Sequence, residues 1–405
     1  MSRSASPATV DPPVVRAATF ATYLAFIGVG FGFASWASRI PQVRDQLQLS
    51  PSQLGLVLLA IAAGSLISLP LSGPLVSHYG SRRTVAAMSV VMGVALVGIA
   101  AGYGFGVLPL VLGLFVFGFS QGAWDVAMNV QGAIVERRLG RAIMPRFHAG
   151  FSVGTVAGAL GGAAMVALQV PVSVHLSAVA VLVGFAVPFG VRAFVADRDP
   201  EAEPTAGGGG TRRSLAAWRE PRTLLVGLFT LAFAFAEGTG NDWTSIALID
   251  GYQTSATVGT LGFASFLAAM TLGRWFGPGL LDRYGRVPVV RMMAVLSLLG
   301  LLVFVFGGST PVAFVGAVAW GLGLSLGFPV GMSAGADEPE MAAARVSVIA
   351  SIGYCAFLGG PPLIGFLGEH YTVLRALTAV AVLLAVSIMV AGVVRPIGEA
   401  PADRR

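Results

Sequence analysis

Lysine is absent from this 405-residue chain, and cysteine occurs once, at Cys355. A single cysteine excludes an internal disulfide framework and any cysteine-based metal site. Set in an apolar stretch, Cys355 reads as a small buried hydrophobe. Charge is scarce: 11% of the residues are charged, against about 25% in an ordinary soluble domain. The four histidines, His78, His148, His175 and His370, are too scattered to suggest a metal site. Neither H-E-x-x-H nor G-x-x-x-x-G-K-[ST] is present, and no G-x-S-x-G sits in a strand–turn–helix setting. Without a phosphate-cradling loop, ATP-driven transport by this chain alone is disfavoured. Together these absences exclude a soluble enzyme, a nucleic-acid binder and a disordered regulator, and no cofactor or metal is expected.

What remains is apolar length. Hydrophobic residues make up 55% of the chain, and one spanning helix takes about 20 of them in a row. Apolar runs fall at 17–37, 53–76, 84–103, 107–131, 147–168 and 172–194, then at 223–248, 257–281, 288–307, 312–335, 344–367 and 372–394. These predict an all-α integral membrane protein of twelve transmembrane helices in two groups of six. The first run exceeds the ~7–15 residues of a cleavable leader's apolar core, so it is read as the first span. Ser50-Pro51 and Thr310-Pro311 each put a capping hydroxyl before a proline suited to the first helical position. Pro70, Pro329 and Pro361-Pro362 lie inside runs, where prolines mark kinks. Residues 196–222 hold an acidic patch, Gly207 to Gly210 and Arg212-Arg213, and read as a flexible linker. The predicted division is therefore 1–195, a linker over 196–222, and 223–405.

The 25 cationic residues are all arginine, and most sit in short loops. Such loops report orientation rather than a phosphate-binding face. With both termini in the cytoplasm, 21 arginines lie inside, Arg39, Arg44 and Arg375 lie outside, and Arg274 lies within a span. This is the arrangement of a multi-pass protein of the inner (cytoplasmic) membrane. The outer loops are short, which leaves little surface for a receptor.

The two groups of six repeat one loop. After the second span the sequence reads Gly73-Pro74-Leu75-Val76-Ser77-His78-Tyr79-Gly80-Ser81-Arg82-Arg83. After the eighth it reads Pro278-Gly279-Leu280-Leu281-Asp282-Arg283-Tyr284-Gly285-Arg286. Matching position in both halves is the pattern of a parallel repeat. The second loop resembles the G-x-x-x-D-R-x-G-R motif of the major facilitator superfamily through Asp282, Arg283, Gly285 and Arg286. Its leading glycine is displaced, with Pro278 in that place. The first loop keeps Gly73, Gly80, Arg82 and Arg83 but has Ser77 for the aspartate and His78 for the arginine. The resemblance implies that these charges latch helices in one facing state, with the C-terminal copy the better candidate. Gly150, Gly154, Gly158 and Gly161-Gly162 resemble the glycine-rich fifth span of that family, with Thr155 where a proline is usual. Their counterpart is Gly359-Gly360-Pro361-Pro362 and Gly365. Such a strip serves either a sliding interface or plain close packing.

The resemblance covers essentially the whole chain. Trp36 to Gln42, Asp125 to Asn129 and Met144 to His148 further resemble the YbjJ-like inner-membrane proteins, a branch near the fucose:proton symporters. That resemblance implies the major facilitator fold, alternating access and, weakly, a sugar-like solute.

Ionisable residues inside spans are few. At about 2.5–3.5 kcal/mol each on insertion scales, they need a reason. Gln121, Asp125 and Asn129 are four residues apart and share one face of span 4. They form either a cavity-facing stripe, with Asp125 a proton carrier and the amides ligands for hydroxyls, or a structural hydrogen-bond cluster. Glu237 sits near the middle of span 7, Asn241 one turn on and Asp242 next to it. Glu237 is the leading coupling carboxylate, or else one half of a fixed ion pair with Arg274. Gly238 and Gly240 suggest a broken helix there. Arg39 closes span 1; it binds an anionic group, gates with Asp242, or reaches out to the headgroups. His148 opens span 5 and either titrates with the carboxylates or caps the helix. Trp36, Trp124, Trp243 and Trp320 are candidates for stacking on a sugar ring or for interfacial anchoring.

The leading functional expectation is proton-coupled symport of a small polar, sugar-like solute. The alternative is proton-antiport efflux of lipophilic or cationic compounds, and a channel or non-transporting scaffold is a third. The expected partners are a small-molecule substrate, protons and membrane lipids, with no nucleic acid, and the expected state is a monomer.

Overall fold

Two glycines set the repeat. Gly80 and Gly285 have φ of +82° and +79°, a backbone region open to glycine and costly for a residue with Cβ. Each is the sole residue between two long helices, so the chain reverses there with almost no loop. The computed structural model describes residues 12–140, 143–197, 216–338 and 340–397. Most of the predicted linker, and Arg3, Arg141, Arg198, Arg212, Arg213, Arg404 and Arg405 among the arginines, lie outside the described residues.

The first half contains α1 (Pro12–Ala37), α2 (Ile40–Gln46), α3 (Pro51–Tyr79), α4 (Ser81–Phe105), α5 (Val107–Leu139), α6 (Met144–Ala167) and α7 (Val172–Gly190). The second contains α8 (Pro221–Tyr252), α9 (Ala256–Tyr284), α10 (Arg286–Phe306), α11 (Thr310–Leu324), α12 (Gly327–Gly335), α13 (Ala342–His370), α14 (Val373–Ala376) and α15 (Thr378–Val390). Among the described residues there are twelve helical stretches long and apolar enough to cross a membrane and no strand. Several helices outrun their apolar run. α5 continues to Leu139 because Glu136, Arg137 and Arg138 are good helix formers that suit a helix end standing in water.

Packing follows the repeat. α1 packs on α6, α3 on α5, and α4 on α5 and α7; likewise α8 packs on α13, α9 on α11, and α10 on α11 and α15. The two six-helix bundles meet chiefly through α3 with α13 and α6 with α9. The glycine strip of α6 faces α1 within its own bundle. A Cβ at Gly154 would strike the Ile27 carbonyl and one at Gly158 the Phe31 carbonyl. It is a close-packing seam rather than the surface between bundles.

Helix ends correct some expectations. Ser50 caps α3 as predicted: its Oγ accepts from the Gln53 N–H, and Gln53 Oε1 accepts from the Ser50 N–H at 3.0 Å. At Thr310-Pro311 the cap position belongs to Ser309, and Thr310 is the first helical residue. The expected break in span 7 is not there, since α8 is continuous over 32 residues. Gly238 and Gly240 instead make room for the rings of Phe357 and Phe266. The break falls in span 10, between α11 and α12, next to Pro329. Cys355 is exposed on the outside of α13 rather than buried. Trp36, Trp124, Trp243 and Trp320 are all within 1% of complete burial. They fill bundle interiors and neither anchor the interface nor line the central cavity.

Candidate functional site

A cavity of about 1070 Å³ lies between the bundles. Its deep end is reached by Phe33, Leu58, Asp242 and Pro361; its mouth is formed by Asp282, Gly285, Arg286 and Pro396. It therefore runs from mid-depth to the face that carries the Gly80 and Gly285 loops and most of the arginines.

α5 and α8 supply its polar wall, one from each bundle. Gln121 and Asp125 line it from α5; Glu237, Thr239, Asn241 and Asp242 line it from α8. The helical repeat explains this: residues four apart stack on one face. Asn129 does not join them at the wall. Its amide donates to the Asp125 carbonyl at 2.8 Å and to Asp125 Oδ1 at 3.3 Å, so it steadies Asp125 from one turn away. Gln121 Oε1, Asn241 Oδ1 and Thr239 Oγ1 are shielded and have no hydrogen-bond partner. Polar atoms left so are expensive unless a ligand or water satisfies them.

Glu237 is held. Arg274 Nη2 donates to both of its carboxylate oxygens at 2.8 Å, and the two side chains are about one-fifth exposed, at 18% and 21%. The ion pair anticipated as the alternative is thus present. Asp242, adjacent to Asn241, faces the cavity and makes no ion pair among the described residues. His148 also lines the cavity, with its ring edge-on to Phe26 at 5.1 Å. Tyr354 of α13 lines it too. Tyr354 carries no local signal, because one tyrosine in an apolar run looks like core.

Arg39 lies elsewhere. It is 2% exposed, its Nε donates to His175 Nδ1 at 2.9 Å and its Nη2 to the Val170 carbonyl at 3.1 Å. These partners are in its own bundle, so it neither reaches Asp242 nor snorkels outward. The arginine that crosses between bundles at that face is Arg44, which binds Asp250 at the end of α8. Beside it, the Ser52 N–H donates to Glu369 Oε2 at 3.2 Å, tying α3 to α13. Gly55 lies against the Pro361 carbonyl and Gly365 against that of Pro51, with no space for a Cβ at either. Polar bonds and backbone contact together close the cavity's blind end.

At the open face the gating candidates are spread out. Asp282 is exposed and forms no hydrogen bond or ion pair among the described residues. Arg283 stacks over the Tyr284 ring at 5.1 Å, and Arg82 is exposed. Arg286 is engaged, but by Asp337 at 2.6 Å and Ser333 at 3.0 Å. Asp337, just beyond α12, also takes Arg222 at 2.9 Å, which ties α8, α10 and α12 within one bundle. In the first bundle Asp197 plays a comparable part, accepting from the Ser81 N–H and, at 2.5 Å, from its hydroxyl at the start of α4. Sequence reading missed both aspartates because their partners are more than 50 residues away.

Similarity to known proteins extends over most of the chain. The family model of the Major Facilitator Superfamily matches residues 17–244. An uncharacterised transporter, y4wD, of Sinorhizobium fredii is 31% identical, covering 86% of this chain and 90% of its own. An uncharacterised MFS-type transporter of Yersinia pestis is 30% identical, covering 90% and 92%. Among solved structures, the nucleoside transporter NupG superposes with a TM-score of 0.75 at 13% identity, covering 94% of this chain and 98% of its own. The fucose:proton symporter FucP of E. coli superposes at 0.56 and 14%, covering 91% and 97%. The chain belongs to the Major Facilitator Superfamily and is a multi-pass membrane transporter rather than an enzyme.

Proposed function

We propose that this transporter is a secondary active carrier that couples proton movement to symport of a small polar, sugar-like solute. The observation that carries the reading is the cavity wall, where Gln121 and Asp125 of one bundle face a space shared with Glu237, Asn241 and Asp242 of the other. A solute bound by both bundles favours their closing around it, which is what alternating access requires. The amides of Gln121 and Asn241 carry both donors and an acceptor, which suits hydroxyl groups. Glu237 and Asp125 are the proton carriers. Protonation of Glu237 would free Arg274, so the pair offers a two-state element that a proton can bias. Asp282, Arg283, Gly285 and Arg286, with Gly80 and Arg82, form the latch when the open face closes, and Asp282 is free for that role here.

The same reading takes residues 1–195 and 223–405 as the moving units, with 196–222 as linker. It places both termini in the cytoplasm and the monomer in the inner membrane, bearing on lipids. It also keeps the YbjJ-like branch near the fucose:proton symporters. NupG and FucP, named for nucleoside transport and fucose:proton symport, support a hydroxylated solute by fold likeness only.

A second reading has its own observation. Phe33, Leu58, Ile61, Met128, Met270, Phe328 and Phe357 make much of the wall apolar, which suits proton-antiport efflux of lipophilic or cationic compounds. Purified protein in liposomes carrying an internal pH dye separates the two. Sugars or nucleosides that drive proton co-movement support symport. Lipophilic cations that drive opposite proton movement support efflux. No proton movement with either class would overturn the coupling.

A further inference from the structure

We propose that the transported solute carries a positively charged nitrogen, and that Asp242 is its counter-ion. This rests on the reading of the central cavity as the solute site and adds the charge of what enters it.

The argument is one of signs. The charged or titratable groups facing the cavity are Asp125 on α5, His148 on α6, Glu237 and Asp242 on α8, Arg274, Asp282 and Arg286 on α9 and at the start of α10, and Tyr354 on α13. The two arginines are already satisfied. Arg274 gives its Nη2 to both oxygens of Glu237, and Arg286 is bound by Asp337. Asp282 lies at the mouth, in contact with solvent. Deep in the cavity this leaves Asp125 and Asp242, neither with a cationic partner among the described residues. Asp125 has the Asn129 amide; Asp242 has nothing comparable. A carboxylate taken from water without a partner is disfavoured, and an incoming cation removes that penalty.

The neutral groups do not oppose this. Gln121 and Asn241 each carry one accepting oxygen and a donating NH2, and Thr239 a hydroxyl that does both, so they can serve any polar part of the solute. A spare carboxylate fits an ammonium group. It does not fit a carboxylate or phosphate ester, for which no unpaired arginine lines the cavity at depth among the described residues. Asp242 and Asn241 are consecutive, so one solute group can touch both.

Matched probes test this on full-length protein in lipid nanodiscs at pH 7.5: glucosamine and ethanolamine as amines, glucose and glycerol as neutral polyols, glucuronate and glycolate as anions. Expected is a rise in melting temperature with the amines at millimolar concentration, larger than with their neutral counterparts, and none with the anions. Asp242→Asn should weaken amine binding at least tenfold, and Asp242→Glu should recover part of it. Elution as a single symmetric peak confirms that each variant is folded. Equal shifts for amine and neutral probes, a preference for the anions, no shift with any amine, or unchanged amine binding in Asp242→Asn each overturns the proposal. Proton flux driven by a neutral sugar, without amine binding, would remove the charge assignment and leave proton-coupled transport standing.

Discussion

Arg44 of α2 donates through Nη1 to Asp250 Oδ2 at 2.5 Å and through Nη2 to Oδ1 at 3.0 Å, a two-pronged bond between the two bundles. Asp45 shares the same guanidinium from the side. The bond sits at the closed end of a cavity whose other end is open, so it stabilises this facing state over its opposite. Asp250 is 42% exposed, and an ion pair so wetted contributes about 0.2–1 kcal/mol. Asp250→Asn should therefore raise the population of the opposite state by no more than about fivefold. Spin labels placed across the Arg44 face, with Cys355 replaced by serine, would report the distance distribution. An unaltered distribution in Asp250→Asn would remove the bond from the gate.

The backbone seal next to it should matter more. A Cβ on Gly55 would meet the Pro361 carbonyl, and one on Gly365 the Pro51 carbonyl. Backbone cannot step aside as a side chain can, and overpacking of this kind costs about 1–3 kcal/mol. Gly55→Ala or Gly365→Ala should prop the blind end open and favour the opposite-facing state about fivefold or more. The same spin labels would show it. Alanine at Gly161 or Gly359, where a Cβ has open space, serves as the control and should change nothing.

Glu237 and Arg274 make a prediction in two parts. Glu237→Gln leaves the arginine without its carboxylate. Breaking a fully buried pair costs about 3–5 kcal/mol and an exposed one about 0–1; at about one-fifth exposure a loss of roughly 2 kcal/mol is expected. Glu237→Gln with Arg274→Gln should regain most of that melting temperature, because no lone charge remains. Neither variant should accumulate solute against its gradient. Wild-type accumulation by the single variant would take Glu237 out of the coupling.

The spans were legible because membrane burial demands one property repeated twenty times. The loop repeat was legible because Gly80 and Gly285 answer a backbone requirement that no neighbour sets. The Asp125 and Glu237 helix faces followed from four-residue spacing alone. Pairings between distant segments were not legible. Nothing local tells that Arg44 meets Asp250 while Arg39 turns inward to His175, since one arginine precedes α2 and the other lies in its last turn. The tryptophans misled for a related reason: an aromatic ring near a span end fits an interface, a cavity or a core, and only the neighbouring helices decide. Gly240 looks in the sequence like a weakness in its own helix, whereas its role is to admit Phe266 from the next.

Glu220 permits a pH prediction, because it stands just before α8 and outside the apolar spans. Arg345 donates to it through Nε at 2.7 Å and Nη2 at 3.3 Å, and the Thr223 hydroxyl adds a bond at 2.7 Å. Hydrogen bonding from Arg345, with the help of Thr223, holds the carboxyl below its usual range, against a smaller opposing effect of burial. A folded value below the unfolded one, about 4.3, means the ionised form is the one that folding favours. Its stabilisation is therefore complete above the unfolded value and is lost as pH falls through the lower, folded value. Glu220 is 31% exposed and Arg345 keeps a second partner in Glu338 at 2.6 Å, so the contribution is about 1 kcal/mol. Glu220→Gln should melt lower than the wild type at pH 7 and converge with it near pH 3. Melting curves in one detergent at pH 7, 5, 4 and 3 would show this, and a gap that stays constant over that range would place the effect in packing rather than charge.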